Sequence, residues 1–208
     1  MKFIYEFIGT FFLVLTVGMT VMHPHGAGNF APLAIGAALA VLVYAGAHIS
    51  GAHYNPAVSI SIFVRGQLSF ADLLIYWAAQ LMAGATAAYT TIFLKGGLAP
   101  TPIQLNPTHA LLAEFLFTFA LCYVVLNVAT AKETKGNPYF GFAIGFIVLA
   151  GAYAVGAVSG GAFNPAVAFG ITLMNLSIWS NIWIYLVGNL LGGVVAALIF
   201  KATHTHET

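Results

Sequence analysis

Two stretches decide how this chain reads: Gly51-Ala52-His53-Tyr54-Asn55-Pro56-Ala57-Val58 and Gly160-Gly161-Ala162-Phe163-Asn164-Pro165-Ala166-Val167. In each, glycine breaks an apolar run just before the tetrapeptide Asn-Pro-Ala-Val. Proline at the first helical position gives up only an N–H that no intrahelical carbonyl would take, and its fixed φ starts a helix. Asparagine before it is a preferred N-cap. The spacing therefore predicts two short apolar helices, about Asn55–Val64 and Asn164–Met174. Both are too short to cross a bilayer, which takes about 20 residues. A re-entrant half-helix, shielded by protein or a water-filled cavity, is the form such a piece takes inside a membrane. Two identical helix starts in two halves suggest paired half-helices meeting at a pore.

Composition agrees. Apolar residues make up 61% of 208 positions and charged residues 5%, and mean hydropathy is +0.95, which places the chain in a bilayer. Met1 to Met22 begins with Lys2 and an apolar run but carries Glu6, so it reads as a first spanning helix, not a removable signal. A formal charge of +1 without a basic stripe argues against nucleic acid as a partner. Cys122 is the single cysteine, which rules out an intramolecular disulfide or a thiolate metal cluster. No cofactor or metal is expected.

Six windows are long and apolar enough to span: roughly Phe3–Met22, Ala31–Ile49, Phe70–Leu94, Thr108–Ala129, Pro138–Val158 and Ile178–Lys201. With alternating topology, Lys2, Arg65, Lys132, Lys135 and Lys201 share one side and Lys95 takes the other. The positive-inside rule then puts both termini in the cytoplasm. The expected fold class is an all-α membrane protein of six transmembrane helices plus two re-entrant half-helices.

The halves repeat. Glu6-Phe7-Ile8-Gly9-Thr10-Phe11-Phe12 has a counterpart in Glu114-Phe115-Leu116-Phe117-Thr118-Phe119-Ala120, an offset of 108, against 109 between the Asn-Pro-Ala motifs. Three spans per half make the second enter from the opposite face, an inverted repeat of about residues 1–96 and 107–208 within a single channel domain. The Gly- and Pro-rich stretch Lys95 to Asn106 would join the halves outside. If each Asn oxygen caps its half-helix, the amide hydrogens are left as donors. The two helix N-termini, each with roughly half a positive charge, would oppose cations at mid-membrane while admitting a neutral solute. Asn106-Pro107 and Asn137-Pro138 lack the alanine and the glycine-rich break, and read as ordinary span starts.

With these motifs the chain resembles the major intrinsic protein family, the aquaporins and glycerol facilitators. His53-Tyr54-Asn55-Pro56-Ala57-Val58-Ser59-Ile60-Ser61 matches the family signature, after Gly46-Ala47-His48-Ile49-Ser50-Gly51. The resemblance covers essentially the whole chain. It implies an hourglass-shaped channel, one pore per subunit and a homotetramer in the lipid bilayer. Carried over residue by residue, it makes Asn55 and Asn164 central donors and the segments Gly51 to Tyr54 and Gly160 to Phe163 ladders of backbone carbonyls. Glu6 and Glu114 would support those segments from behind, which explains carboxylates inside spans. His48 would sit near the cytoplasmic vestibule, as pore lining, gate or structural residue.

The outer filter departs from the family pattern. Water-selective members usually follow the second Asn-Pro-Ala with arginine, where this chain has Val167; the other three filter positions fall at Ile35, Ala152 and Gly161. All four are apolar or small, so the resemblance implies a wide mouth that admits water and small neutral solutes such as urea, ammonia, hydrogen peroxide and small polyols. Some plant vacuolar members share Asn-Pro-Ala-Val with a following Ala-Phe-Gly, here Ala168-Phe169-Gly170. Glycerol facilitators carry an aspartate and a basic residue where this chain has Ala168 and Thr172, so a dedicated glycerol channel is not expected. A water-only channel and a non-conducting or junctional protein of the same fold stay open. An ion-coupled carrier ranks lower, because no filter position titrates. An enzyme ranks last, with no nucleophile–base pair or metal set in the sequence.

Overall fold

The computed structural model describes residues 1–97 and 100–207. Among the described residues, six long α-helices and two short ones form: α1 (Lys2–Val21), α2 (Ala31–Ser50), α3 (Pro56–Arg65), α4 (Phe70–Leu94), α5 (Pro107–Val125), α6 (Phe140–Ser159), α7 (Pro165–Leu173) and α8 (Ile182–Thr203). Each half runs long, long, short, long. This is the expected arrangement of six long helices and two half-helices. The expected windows match these helices to within a few residues. The last begins later, at Ile182, because Trp179–Asn181 forms a separate 3-10 turn.

Among the described residues, five helices are long and apolar enough to cross a membrane. The 25-residue α4 is less apolar because it carries Asp72, Gln80, Thr86, Thr90 and Thr91. Gln80 is fully buried, so part of that polarity serves the interior.

The bundle has an apolar exterior and buries a small set of polar groups within an apolar core. Glu6, Gln80, Glu114 and Asn189 are 0% exposed, while Phe12, Val41, Phe93, Leu112, Phe146 and Leu198 lie on the outer surface. Buried polar groups bonded to one another, under an apolar exterior, are what a hydrocarbon solvent requires.

Small residues set the closest approaches. Helix α2 crosses α6 where Gly36 and Gly145 meet, and a Cβ on Gly145 would stand 2.3 Å from the Gly36 carbonyl oxygen. Each short helix packs chiefly on the last long helix of the other half, α3 on α8 and α7 on α4. Gly193 and Gly84 permit this: an added Cβ would lie 2.5 Å from the Ala57 oxygen and 2.7 Å from the Ala166 oxygen. The Gly141/Gly145 and Gly188/Gly192 pairs pack within the chain, against Tyr44, Gly36, Glu114 and Phe115.

The two ends of the bundle differ. The linker Lys95 to Asn106 includes residues 98 and 99, outside the described residues. On either side of them, Lys95 Nζ donates to the Pro24 carbonyl (2.8 Å) and Asn175 Nδ2 to the Pro100 carbonyl (2.8 Å). At the other end the tail turns back as Thr205–Glu207. The Glu207 carboxylate accepts from buried Arg65 and, at 2.8 Å, from the Lys132 N–H. Arg65 also lies over the Phe200 ring, 4.7 Å from its centroid. Exposed His206 meets exposed Glu133 at 2.6 Å. The Glu133 carboxyl is held down to about 2 by its own backbone N–H first, then by the His206 side chain.

Candidate functional site

Glycine in the left-handed region ends both α2 and α6: Gly51 has φ 85° and Gly160 φ 89°. The backbone then stays irregular. Ala52 (φ 53°) and Tyr54 (φ 52°) in one half match Gly161 (φ 63°) and Phe163 (φ 47°) in the other. A left-handed conformation costs a non-glycine residue about 1–2 kcal/mol, so three of these four positions hold strain that their surroundings must offset.

The buried glutamates supply that compensation. Glu6 Oε1 accepts from Ser50 Oγ (2.7 Å) and the His53 N–H (2.9 Å), and Oε2 from the Tyr54 N–H (2.7 Å) and Gln80 Nε2 (2.9 Å). Glu114 repeats the pattern. Its Oε1 takes Ser159 Oγ (2.7 Å) and the Ala162 N–H (3.0 Å), and its Oε2 the Phe163 N–H (2.8 Å) and Asn189 Nδ2 (2.7 Å). Hydrogen bonds to a buried carboxyl contribute about 0.5–3 kcal/mol each, and four of them are enough to hold the two strained residues of the first half and the one, Phe163, of the second. With those N–H groups turned back to the carboxylates, neighbouring carbonyls are free to face the other way.

At the end of each irregular segment, asparagine caps the half-helix. Asn55 Oδ1 accepts from the Ala57 N–H (2.8 Å), and Asn164 Oδ1 from the N–H groups of Ala166 (2.9 Å) and Val167 (3.4 Å). The amide nitrogens reach across. Asn55 Nδ2 donates to the Phe163 carbonyl (2.9 Å) and Asn164 Nδ2 to the Tyr54 carbonyl (2.8 Å). One amide hydrogen of each asparagine is thus spent on the other half, and one remains free to donate. The Tyr54 and Phe163 carbonyls, the last rungs of the expected ladders, serve these cross-links.

Two chambers flank this junction. The outer one, about 490 Å³, is bordered by all four expected filter residues, Ile35, Ala152, Gly161 and Val167, and by Gly160, Ala162 and Phe163. The inner one, about 500 Å³, is bordered by Gly51, Ala52 and His53, and by Lys132, Thr134 and Asn137 of the loop the tail holds. Asn55 and Asn164 border both.

Two expected positions behave differently. Tyr54 borders neither chamber; its side chain turns into the core, where its hydroxyl donates to the Leu42 carbonyl (3.1 Å). His48 is exposed on α2, edge-on to Tyr5 at 6.2 Å between ring centroids, and is not on the inner chamber wall. The histidine on that wall is His53, whose Nδ1 lies 3.1 Å from Ser59 Oγ.

Several supporting residues escaped the sequence reading. Tyr76 and Tyr185 donate to the Ser50 and Ser159 carbonyls at 2.6 and 2.8 Å, and Asn189 plays the part of Gln80. All lie 109 positions from their counterparts, so the repeat offset was the signal that would have found them. Glu133, His206 and Glu207 bring three metal-capable atoms within 4.8 Å of one another, but both Glu207 oxygens are already engaged by Arg65 and Lys132.

Two half-helices joined amide to carbonyl between two chambers, inside a helical bundle with an apolar exterior, define a membrane channel. Comparisons with known proteins give the family. Residues 1–200 match the model of the major intrinsic protein family. The probable aquaporin TIP1-1 of Oryza sativa subsp. japonica is 38% identical over 97% of this chain and 87% of its own length. Aquaporin TIP1-1 of Arabidopsis thaliana is 41% identical over 81% of this chain and 70% of its own. The X-ray structure of an aquaglyceroporin from Plasmodium falciparum shares the fold, with a TM-score of 0.83 at 24% identity, covering 99% of this chain and 97% of that one. This chain belongs to the major intrinsic protein family and is a multi-pass integral membrane protein, an aquaporin-family channel.

Proposed function

We propose that the chain is a passive channel for water and small neutral solutes, namely urea, ammonia, hydrogen peroxide and small polyols such as glycerol. The observation that carries this reading is the outer chamber: Ile35, Ala152, Gly161 and Val167 border one continuous cavity and place no charged side chain there. A filter without a fixed cation excludes neutral molecules by size alone.

Asn55 and Asn164 each offer one free amide hydrogen at the centre, and the carbonyls of Gly51 to His53 and Gly160 to Ala162 offer acceptors along the path. A solute can exchange water for these partners without a large desolvation cost. Cations meet the positive ends of α3 and α7. Glu6 and Glu114 border neither chamber, and each accepts four donors. That bonding suits struts better than proton carriers, which supports a passive channel over an ion-coupled carrier. We further assign the chain to a single domain of two inverted repeats, a homotetramer in the cell membrane, and cytoplasmic termini. Five of the six Lys and Arg residues on one side support that orientation.

The test is stopped-flow light scattering on proteoliposomes, with water, urea and glycerol gradients, for the native chain and Val167→Arg. Rapid solute entry that the arginine abolishes while water flow persists supports the reading. Water flow alone in both proteins makes this a water-only channel. No conductance above empty liposomes makes it a non-conducting member of the family.

A further inference from the structure

The ring of Ile35, Ala152, Gly161 and Val167 does not divide the cavity it borders. The same outer chamber extends from His23 and Thr101 past the ring to Asn55 and Asn164. The division comes deeper, where the outer and inner chambers meet, and the residues bordering both are Asn55, Asn164, Leu13 and Leu121. These four are 3%, 4%, 4% and 3% exposed. Ile35, Ala152 and Gly161 are all more open than that.

The perimeter of this waist is therefore two amides and two isobutyl groups. The amides are fixed, each capping its own half-helix and donating to the opposite half. The leucines are placed by the glutamates. Leu13 follows Glu6, and Leu121 follows Glu114, by seven residues. Two helical turns keep both side chains on one face, about 10 Å apart along the axis. Because each glutamate is tied by four hydrogen bonds to the irregular segment, the register that sets its leucine is tied as well.

We propose that Leu13 and Leu121, not the outer ring, set the largest solute this channel passes. The inference rests on the chain conducting water. The passenger it selects is a small neutral molecule with one hydrogen-bonding edge for the asparagines and a flank that tolerates hydrocarbon. The leucine atoms at issue face open space, so shortening them widens the passage and need not leave a sealed void in the core.

The experiment measures glycerol-to-water and urea-to-water permeability ratios in proteoliposomes for the native chain, Leu13→Ala, Leu121→Ala, Leu121→Phe and Ile35→Ala. Because each methylene in an apolar constriction discriminates by roughly tenfold or more, each Leu→Ala change should raise the glycerol-to-water ratio about threefold or more. Ile35→Ala should raise it by less than either Leu→Ala change, since the ring does not divide the cavity it borders. Leu121→Phe should lower the ratio, which keeps the test decisive if a shortened variant fails to insert. Unchanged ratios in all the leucine variants, or a larger rise in Ile35→Ala than in either alanine variant, overturn the proposal and leave the channel reading intact. Native protein that passes no water overturns both.

Discussion

The half-helices α3 and α7 are alike in their own backbone and unlike in what holds their far ends. At their N-termini the asparagine cap, the cross-bond to the other half, the two left-handed residues and the four donors on a buried glutamate all recur. At their C-termini the closing turn recurs too, with Gly66 and Asn175 in the left-handed region, the Gln67 N–H donating to Ile62 O at 3.0 Å and the Leu176 N–H to Ile171 O at 2.8 Å. What holds each turn differs. Beside the first, Arg65, the last residue of α3, is buried against the tail's Glu207. The second is held by the linker, whose Ile103 N–H donates to Leu176 O at 3.0 Å. One chemical demand acts on both inner ends, to present donors and carbonyls at mid-membrane without water. The far ends answer only to their own side.

The hardest test of the inner likeness is to replace one buried carboxyl in each half. In Glu6→Gln and Glu114→Gln an amide NH₂ would face donors now held by a carboxylate oxygen. Each variant should lose about 3 kcal/mol or more of stability, read as a lower apparent melting temperature in detergent. Losses that differ by more than about half would show that the halves share geometry but not energetics.

Gly84→Ala and Gly193→Ala probe the packing that positions the half-helices. Each new Cβ would press on a carbonyl oxygen of the first turn, at 2.7 and 2.5 Å, costing about 1–3 kcal/mol and lowering water permeability with it. Loss of stability without loss of permeability would mean that the half-helices can shift and still conduct.

The smallest effect concerns the unlike ends. Glu133 sits at about 2 rather than its ordinary 4.5, so the folded state favours the ionised form. The stabilisation is present above about pH 4.5 and is lost as pH falls towards 2. His206→Ala should move the Glu133 titration part of the way back towards 4.5, measured by carboxyl chemical shifts. No movement would leave the tail held by Glu207 alone.

Much of this was legible because the chain states it twice. Asn-Pro-Ala-Val with its glycines gave the half-helices, and the glutamate pair gave the offset that aligns the halves. Legibility failed where a residue acts through a bond with no local pattern. Tyr76 and Tyr185 read as span residues, since nothing about a tyrosine in an apolar run says that its hydroxyl holds a serine carbonyl. His48 and His53 are five residues apart, yet the turn after Gly51 sends one outward and the other to the chamber wall. The tail's fastening was not legible either, because the pairing between Arg65 and Glu207 spans 142 residues and leaves no periodic trace. The leucine waist was invisible for a related reason: on a helix rich in leucine and valine, only the cavity distinguishes Leu13 from its neighbours.

The crossed asparagine bonds bear on assembly as well as conduction. Asn55 has its acceptor at Phe163 and Asn164 has its acceptor at Tyr54, so neither half contains a complete centre. During synthesis the first four helices can be inserted while the Asn55 amide has no acceptor, and it stays so until the second half-helix arrives. The centre of the channel is therefore a property of the two halves together, and neither half-helix alone can complete it.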